Sequence, residues 1–211
     1  ARLGDLGGNP ALTVSVVFMV VGLGLKMALF PLHIWLPDAY TYASSTSTAI
    51  IAPVMTKVSA YVLIRMLYFV YGADWSLAEL GIGPVVSWLA MAGVVWGSVM
   101  ALAQRDAKRM LAYSSVAQVG YIGLGLATGH PLAVTGAILH ILNHAMMKSC
   151  LFLVTGSVEL SGGSRELSHW QGLGRRMPLT FVGFTLAALA TVGFPLASGF
   201  FSKWYLALGL A

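Results

Sequence analysis

Lysines inside apolar segments are the residues of this sequence best suited to do chemistry. Four of the twelve lysines and arginines lie inside or beside long apolar runs: Lys26, Lys57, Lys148 and Lys203. A charge near the centre of a bilayer costs about 3 kcal/mol on the insertion scale. A buried lysine can also lose and regain its proton when its surroundings change. We therefore expect these four lysines to take part in proton movement.

Two histidines extend this pattern, because His140, His144 and Lys148 are spaced i, i+4, i+8. In a helix this spacing places all three on one face, over about 12 Å. Histidine titrates near neutral pH, so the stripe predicts a proton relay, with an interhelical hydrogen bond as the alternative for the histidine pair. Zinc hydrolases need a glutamate directly after the first histidine, and Ile141 stands there. We therefore expect no metal site and no cofactor.

The composition defines the elements that must hold these residues. The chain has 211 residues, of which 58% are hydrophobic and only 9% are charged, and its mean hydropathy is +0.82. A soluble domain has about 25% charged residues, so a soluble enzyme, a secreted disulfide scaffold and a disordered chain are excluded. The basic residues are too dispersed for a nucleic-acid site. An all-α, polytopic transmembrane bundle is the class that remains.

Each transmembrane helix needs about 20 apolar residues, so the chain has room for six or seven. The apolar runs cover residues 11–32, 48–71, 84–103, 110–128, 132–155 and 178–196, with a short run at 199–211.

The connections 104–109 and 156–177 fall on the same side of the membrane. Together they carry six basic residues: Arg105, Lys108, Arg109, Arg165, Arg175 and Arg176. The other side has only Arg2 in its loops. The positive-inside rule therefore predicts that both connections are cytoplasmic, in the inner membrane of a bacterium or archaeon.

Prolines interrupt two of the runs, at Pro31 and at Pro195. Each proline removes a backbone donor and clashes with the preceding turn, so both helices should be broken. By the count of passes these two helices run in opposite directions, which predicts an inverted repeat. We expect Lys203 to face a hydrated cavity beside the second break, because unwound backbone and a lysine both need water.

Four segments then resemble one known family. They are FPLHIWLPDA at 30–39, RDAKRMLAYSS at 105–115, HILNHAMMK at 140–148 and SGFFSK at 198–203. In order and spacing they are similar to the antiporter-like subunits of respiratory complex I, multisubunit cation/proton antiporters and membrane-bound hydrogenases. The resemblance runs from about residue 11 to residue 211.

The resemblance implies two inverted repeats, each with a broken helix, and a role for each basic residue. Residues 1–211 would form one incomplete transmembrane domain, without the earlier and later helices of the family. Lys26 resembles the lysine of the first broken helix, which pairs with a glutamate on an earlier helix. Lys57 resembles the lysine or histidine of the next helix, and Lys203 the lysine of the second broken helix. The stripe from His140 to Lys148 resembles the element that connects them.

The expected function is proton translocation, with exchange for Na⁺ left open, in contact with the bilayer and with other membrane subunits. We expect protons to pass from Lys57 along the stripe, from His140 to Lys148, and on to Lys203. Lys26 would control their entry through its pair with the glutamate.

The assembly to which the chain belongs has more than one interpretation, and so does the class of protein. Segments 143–148 and 202–206 look most like the D-type subunit of the cation/proton antiporters. A subunit of complex I or of a membrane-bound hydrogenase is the alternative, since it shares every charged position. A scaffold that transports nothing is the rival from another class. Serine, threonine or asparagine would serve a scaffold at lower cost than four embedded lysines.

Overall fold

The computed structural model describes residues 9–211, which form helices joined by short connections. The helices are α1 (Pro10–Met27), α2 (Trp35–Tyr42), α3 (Ser45–Ile64), α4 (Ile82–Leu102), α5 (Ala107–Ala127), α6 (Pro131–Leu160), α7 (Leu173–Arg176), α8 (Pro178–Val192) and α9 (Ser198–Leu210). π-Helical turns at 65–70 prolong α3, and others follow at 74–79. The prediction of an all-α polytopic bundle is confirmed. Arg2 lies outside the described residues.

Within residues 9–211, five helices are long and apolar enough to cross a membrane: α1, α3 with its π-helical turns, α4, α5 and α6. The sixth predicted run, 178–196, contains the short helix α8, and the short run predicted at 199–211 corresponds to α9. α5 is the most buried of the five spans and packs along α4 and α6. Small residues let α5 come close to its neighbours, since a Cβ at Gly120 would lie 2.7 Å from the Ala90 carbonyl oxygen. α6 in turn packs on α3, α8 and α9.

The first broken helix ends at Met27, so the predicted end at residue 32 is wrong. If the helix continued through Pro31, the proline ring would clash with the carbonyl oxygen of Met27, four residues earlier. Ala28 adopts a left-handed conformation with φ 61° and ends the helix. The Leu25 carbonyl accepts a hydrogen bond from the Trp35 indole at 2.9 Å and another from the Ala28 N–H at 3.1 Å. The backbone of the break is thus partly satisfied by the helix that follows it.

The second break lies between Val192, where α8 ends, and Ser198, where α9 begins, so the predicted helix 178–196 is also too long. Gly193 has φ 92° and Leu196 has φ 76°, which excludes a continuous helix through Pro195. The Asn143 side chain of α6 donates a hydrogen bond to the Ser198 carbonyl at 2.7 Å. α6 therefore contacts the start of α9 directly.

We expect Gly136→Ala to destabilise the full-length protein, because this glycine sets the distance between α6 and α9. A Cβ there would lie 2.6 Å from the Leu206 nitrogen and 2.9 Å from the Ser202 carbonyl oxygen. Overpacking of this kind costs about 1–3 kcal/mol. Thermal unfolding of the purified protein should show a lower Tm. At the control Gly183→Ala the nearest atom is the Cys150 sulfur at 3.7 Å, so Tm should not change. Equal melting of both variants would contradict this packing.

Candidate functional site: a buried column of histidine and lysine

Four titratable residues lie close together, and we call this group the column: His140, His144 and Lys148 of α6, which are buried, and Lys203 of α9, which is half-buried. The three residues of α6 are each 0% exposed. The two imidazole rings stack with their centroids 5.9 Å apart and their planes inclined by 9°. The i, i+4, i+8 spacing on α6 therefore places all three side chains in line.

Lys148 stands at one end of the column and contacts α5. Its Nζ donates a hydrogen bond to the Leu111 carbonyl at 2.7 Å and another to the Ser114 hydroxyl. No carboxylate of residues 9–211 lies within 4.0 Å of this ammonium. Neutral dipoles alone therefore hold Lys148 in place.

His140 is held from two sides by residues of different helices. Its Nε2 lies 2.8 Å from the side-chain amide of Gln118 on α5, and its Nδ1 lies 2.9 Å from the Ser202 hydroxyl on α9. The ring of Tyr121 meets the imidazole edge-on, with 6.1 Å between the centroids. Both nitrogens of His140 thus have partners.

His144 differs, because neither of its ring nitrogens has a hydrogen-bond partner among residues 9–211. Fully buried polar atoms almost always have such a partner, from protein or from water. The centre of the column is therefore the place where bound water is needed most.

Lys203 lies at the second break, next to His140. Its Nζ donates to the Thr191 carbonyl at 2.7 Å and the Val192 carbonyl at 3.2 Å, so it caps the end of α8. The ammonium also stands 4.9 Å above the ring of Tyr121. Lys203 is thus at the His140 end of the column. The predicted order, in which Lys203 follows Lys148, is therefore wrong.

Lys57 is buried on α3 and lies outside the column. Its Nζ donates to the Ala52 carbonyl at 2.7 Å. The residue lines a groove of about 620 Å³ between α3 and α6, together with Ile141 and Ala145. The groove brings Lys57 to the level of the two histidines.

Lys26 is not brought to the column. It lies in the last turn of α1, its side chain is exposed, and it has no hydrogen bond or ion pair within residues 9–211. Its pairing with a glutamate stays a prediction from the resemblance.

One face of α5 supports the column and is absent from the residues predicted to form the site. Ser114, Gln118 and Tyr121 contact Lys148, His140 and Lys203 respectively. They are spaced i, i+4, i+7, which places them on one face of a helix. This spacing of polar residues within an apolar run was the signal available in the sequence.

A second buried lysine network lies at one end of the bundle, where the sequence predicts only loops. Lys108 is in the first turn of α5 with its side chain 2% exposed, and its Nζ donates to the Ala43 carbonyl at 2.7 Å. Glu159, in the last turn of α6, lies 4.0 Å from Lys108 and 3.5 Å from Arg165, and it accepts a hydrogen bond from Ser45. The connections 104–109 and 156–177 therefore meet.

No group of three histidine, cysteine or acidic residues suited to a metal occurs in the part of the chain that the structure describes. The polar groups of the column and its contacts are nitrogen bases, hydroxyls, an amide and backbone carbonyls.

The fold and the column place the chain in the class of membrane-embedded helix bundles that have broken helices and basic side chains in their interior. The chain belongs to the NADH:quinone oxidoreductase/Mrp antiporter transmembrane family, whose model matches residues 4–210. It is thus part of an antiporter-like subunit of the kind found in complex I and related membrane complexes.

Several proteins of such complexes are similar to the chain. NADH-quinone oxidoreductase subunit N of Desulforudis audaxviator is 54% identical over 207 residues, which cover 98% of this chain and 41% of that protein. The F(420)H(2) dehydrogenase subunit N of Methanosarcina mazei is 36% identical over 215 residues, which cover 96% of this chain and 42% of that protein. The chain therefore spans less than half the length of these relatives.

Two solved structures have the same fold. One is the membrane-bound sulfane sulfur reductase, an archaeal respiratory complex, with a TM-score of 0.89 and 36% identity over 99% of this chain and 43% of the other. The other is the Mrp complex from Dietzia sp., with a TM-score of 0.89 and 31% identity over 96% of this chain and 37% of the other.

We expect Glu159→Gln to lower the stability of the full-length protein, because it leaves the buried Lys108 without its carboxylate. Removing one partner of a buried polar pair costs roughly 1–3 kcal/mol, and more for a charged group. Glu79→Gln is the matched control, since Glu79 is exposed and has no ion pair among residues 9–211. Thermal unfolding should show a lower Tm for the first variant only. An unchanged Tm in Glu159→Gln would contradict a stabilising role for the contact between Lys108 and Glu159.

Proposed function

We propose that this chain is the proton-conducting part of an antiporter-like subunit, and that protons pass along the column between Lys148 and Lys203. The observation that carries the proposal is the line of four titratable side chains, three of them fully buried and Lys203 half-buried, none of which is neutralised by a carboxylate among residues 9–211. Each of them can exist with or without its proton. Water beside His144 would complete the connection, because its nitrogens need partners.

The chemistry of the column favours H⁺ over Na⁺ as the ion that moves through it. Nitrogen bases bind protons, whereas hard metal cations prefer several oxygen ligands. The carbonyls nearest the column, at Leu111 and Thr191, already accept hydrogen bonds from lysines. An exchanged Na⁺ would therefore need another route.

Lys57 and Lys26 have different proposed roles. Lys57 would exchange protons with the histidines across the contact between α3 and α6, because it is buried on the helix that packs against α6. Lys26 would act through a carboxylate of another helix, as the family resemblance implies. Its exposed position on α1 leaves room for such a helix.

A quinone-reducing complex of the complex I type is the assembly we favour, with other membrane subunits as partners. The 54% identity to a subunit N supports it. A multisubunit cation/proton antiporter is the second candidate, supported by the similarity to the Mrp complex at 31% identity. The subunits that copurify with the full-length protein distinguish the two.

We also propose that the end of the bundle with Lys108 and Arg165 faces the cytoplasm. The two basic connections meet there, and positive charge is retained on the cytoplasmic side of membrane proteins. Under this orientation Lys148 is nearer the cytoplasm than Lys203.

If the column is one relay, its two histidines act in series. Replacing His140 and His144 together should then reduce proton flux little more than the worse single replacement, because one interrupted step already stops the path. The measurement is proton uptake by vesicles that contain the full-length assembled protein, as a double-mutant cycle. Losses that add would indicate that the two histidines have separate structural roles.

A further inference from the structure

The surroundings of His140 constrain its proton more than those of any other residue of the column. Ser202 Oγ lies 2.9 Å from His140 Nδ1 and also 3.0 Å from the Gly199 carbonyl oxygen. A carbonyl only accepts, and a hydroxyl has one proton to donate. When Ser202 donates to Gly199, His140 Nδ1 must therefore be the donor toward Ser202.

Donors and acceptors can be counted in the same way at Nε2, on the other side of the ring. Gln118 presents either its oxygen or its amino group to His140 Nε2, since the two orientations of an amide occupy the same space. The oxygen orientation requires a proton on Nε2, and the amino orientation requires a bare Nε2. Each orientation of Gln118 thus matches one state of the ring.

Three proton states of His140 follow, and all of them are fully hydrogen-bonded. A proton on Nδ1 alone fits with the amino group of Gln118 toward the ring and Ser202 donating to Gly199. A proton on Nε2 alone fits with the oxygen of Gln118 toward the ring and Ser202 donating to His140. The imidazolium fits with the oxygen of Gln118 and Ser202 donating to Gly199.

We propose that Gln118 and Ser202 are positioning residues that let His140 change its proton state without losing a hydrogen bond. The idea rests on the proposed function, for which it supplies two further residues. Only a hydroxyl and an amide need to rotate, so no helix moves. Unpaired buried polar groups are costly, and both ring nitrogens of His140 keep a partner in every state.

The proposal also connects His140 to the second break. Ser202 and Gly199 are both in α9, and the Gly199 backbone is packed so closely on α8 that a Cβ would overlap the Ala190 carbonyl. The carbonyl that competes with His140 for the Ser202 proton is therefore held firmly.

The test uses three variants of the full-length assembled protein. Gln118→Glu keeps the shape, and its carboxylate offers only acceptors, so it should fix a proton on Nε2 and stabilise the imidazolium as an ion pair. Gln118→Met removes the partner of Nε2, and Ser202→Ala removes the partner of Nδ1. The controls are Gln104→Glu and Ser59→Ala, whose native side chains bond to the carbonyls of Met100 and Met55, four residues earlier in the chain.

Two measurements are made on each variant in lipid vesicles at pH 7. The ¹⁵N spectrum of labelled histidine, with His140 assigned by its loss in His140→Gln, reports which ring nitrogens carry protons. Proton uptake reports flux. We expect imidazolium signals for Gln118→Glu, flux lowered by about tenfold or more in all three variants, and neither change in the controls.

Unchanged His140 signals in Gln118→Glu would overturn the proposal, even if Gln118→Met failed to assemble, because the glutamate variant preserves the packing. Wild-type flux in both Gln118→Glu and Ser202→Ala would overturn it as well. Absence of flux in the wild type, with the expected change of signals in Gln118→Glu, would instead refute the proposed function and leave the hydrogen-bond arrangement supported.

Discussion

The bond between a buried ammonium and a backbone carbonyl is the interaction on which the interior depends. Each such bond is 2.7 Å long, and the pairs are Lys57 with Ala52, Lys108 with Ala43, Lys148 with Leu111 and Lys203 with Thr191. A neutral amine keeps two N–H donors, so these bonds survive when the lysine loses its proton. If the partner were a carboxylate instead, loss of the lysine proton would leave that carboxylate as an uncompensated buried charge. Only Lys108 has one within 4.0 Å among residues 9–211, and Lys108 is outside the column.

Two of these four carbonyls, Ala43 and Thr191, lie at helix ends, whereas Ala52 and Leu111 lie inside α3 and α5. A continuous helix uses its own carbonyls, so acceptors for side chains become free at helix ends and interruptions. The second break provides Thr191 for Lys203, and the end of α2 provides Ala43 for Lys108. The face of α5 that carries Ser114, Gln118 and Tyr121 contacts Lys148, His140 and Lys203 of the column. The breaks and the column are thus parts of one arrangement.

Much of this arrangement could be predicted from the sequence, because apolar length and proline positions act locally. The stripe from His140 to Lys148 follows from helical period alone. The spacing of Ser114, Gln118 and Tyr121 marks one face of α5, but the contacts of Gln118 and Ser202 with His140 could not be predicted, since they depend on how α5 and α9 pack against α6 at close-packed glycines. Lys108 falls in a charged hexapeptide, a pattern typical of a solvated loop. Its burial arises only when 156–177 folds over it, which is a contact between distant parts of the chain.

Proton uptake by vesicles containing the assembled complex tests the central claim most directly, with Lys148→Met compared to Lys108→Met. Both changes remove a fully buried ammonium bonded to a carbonyl, but only Lys148 is in the column. Normalised to the amount of assembled complex, flux should be lost in Lys148→Met and retained in Lys108→Met. Retained flux in Lys148→Met, or equal loss in both variants, would contradict conduction through the column.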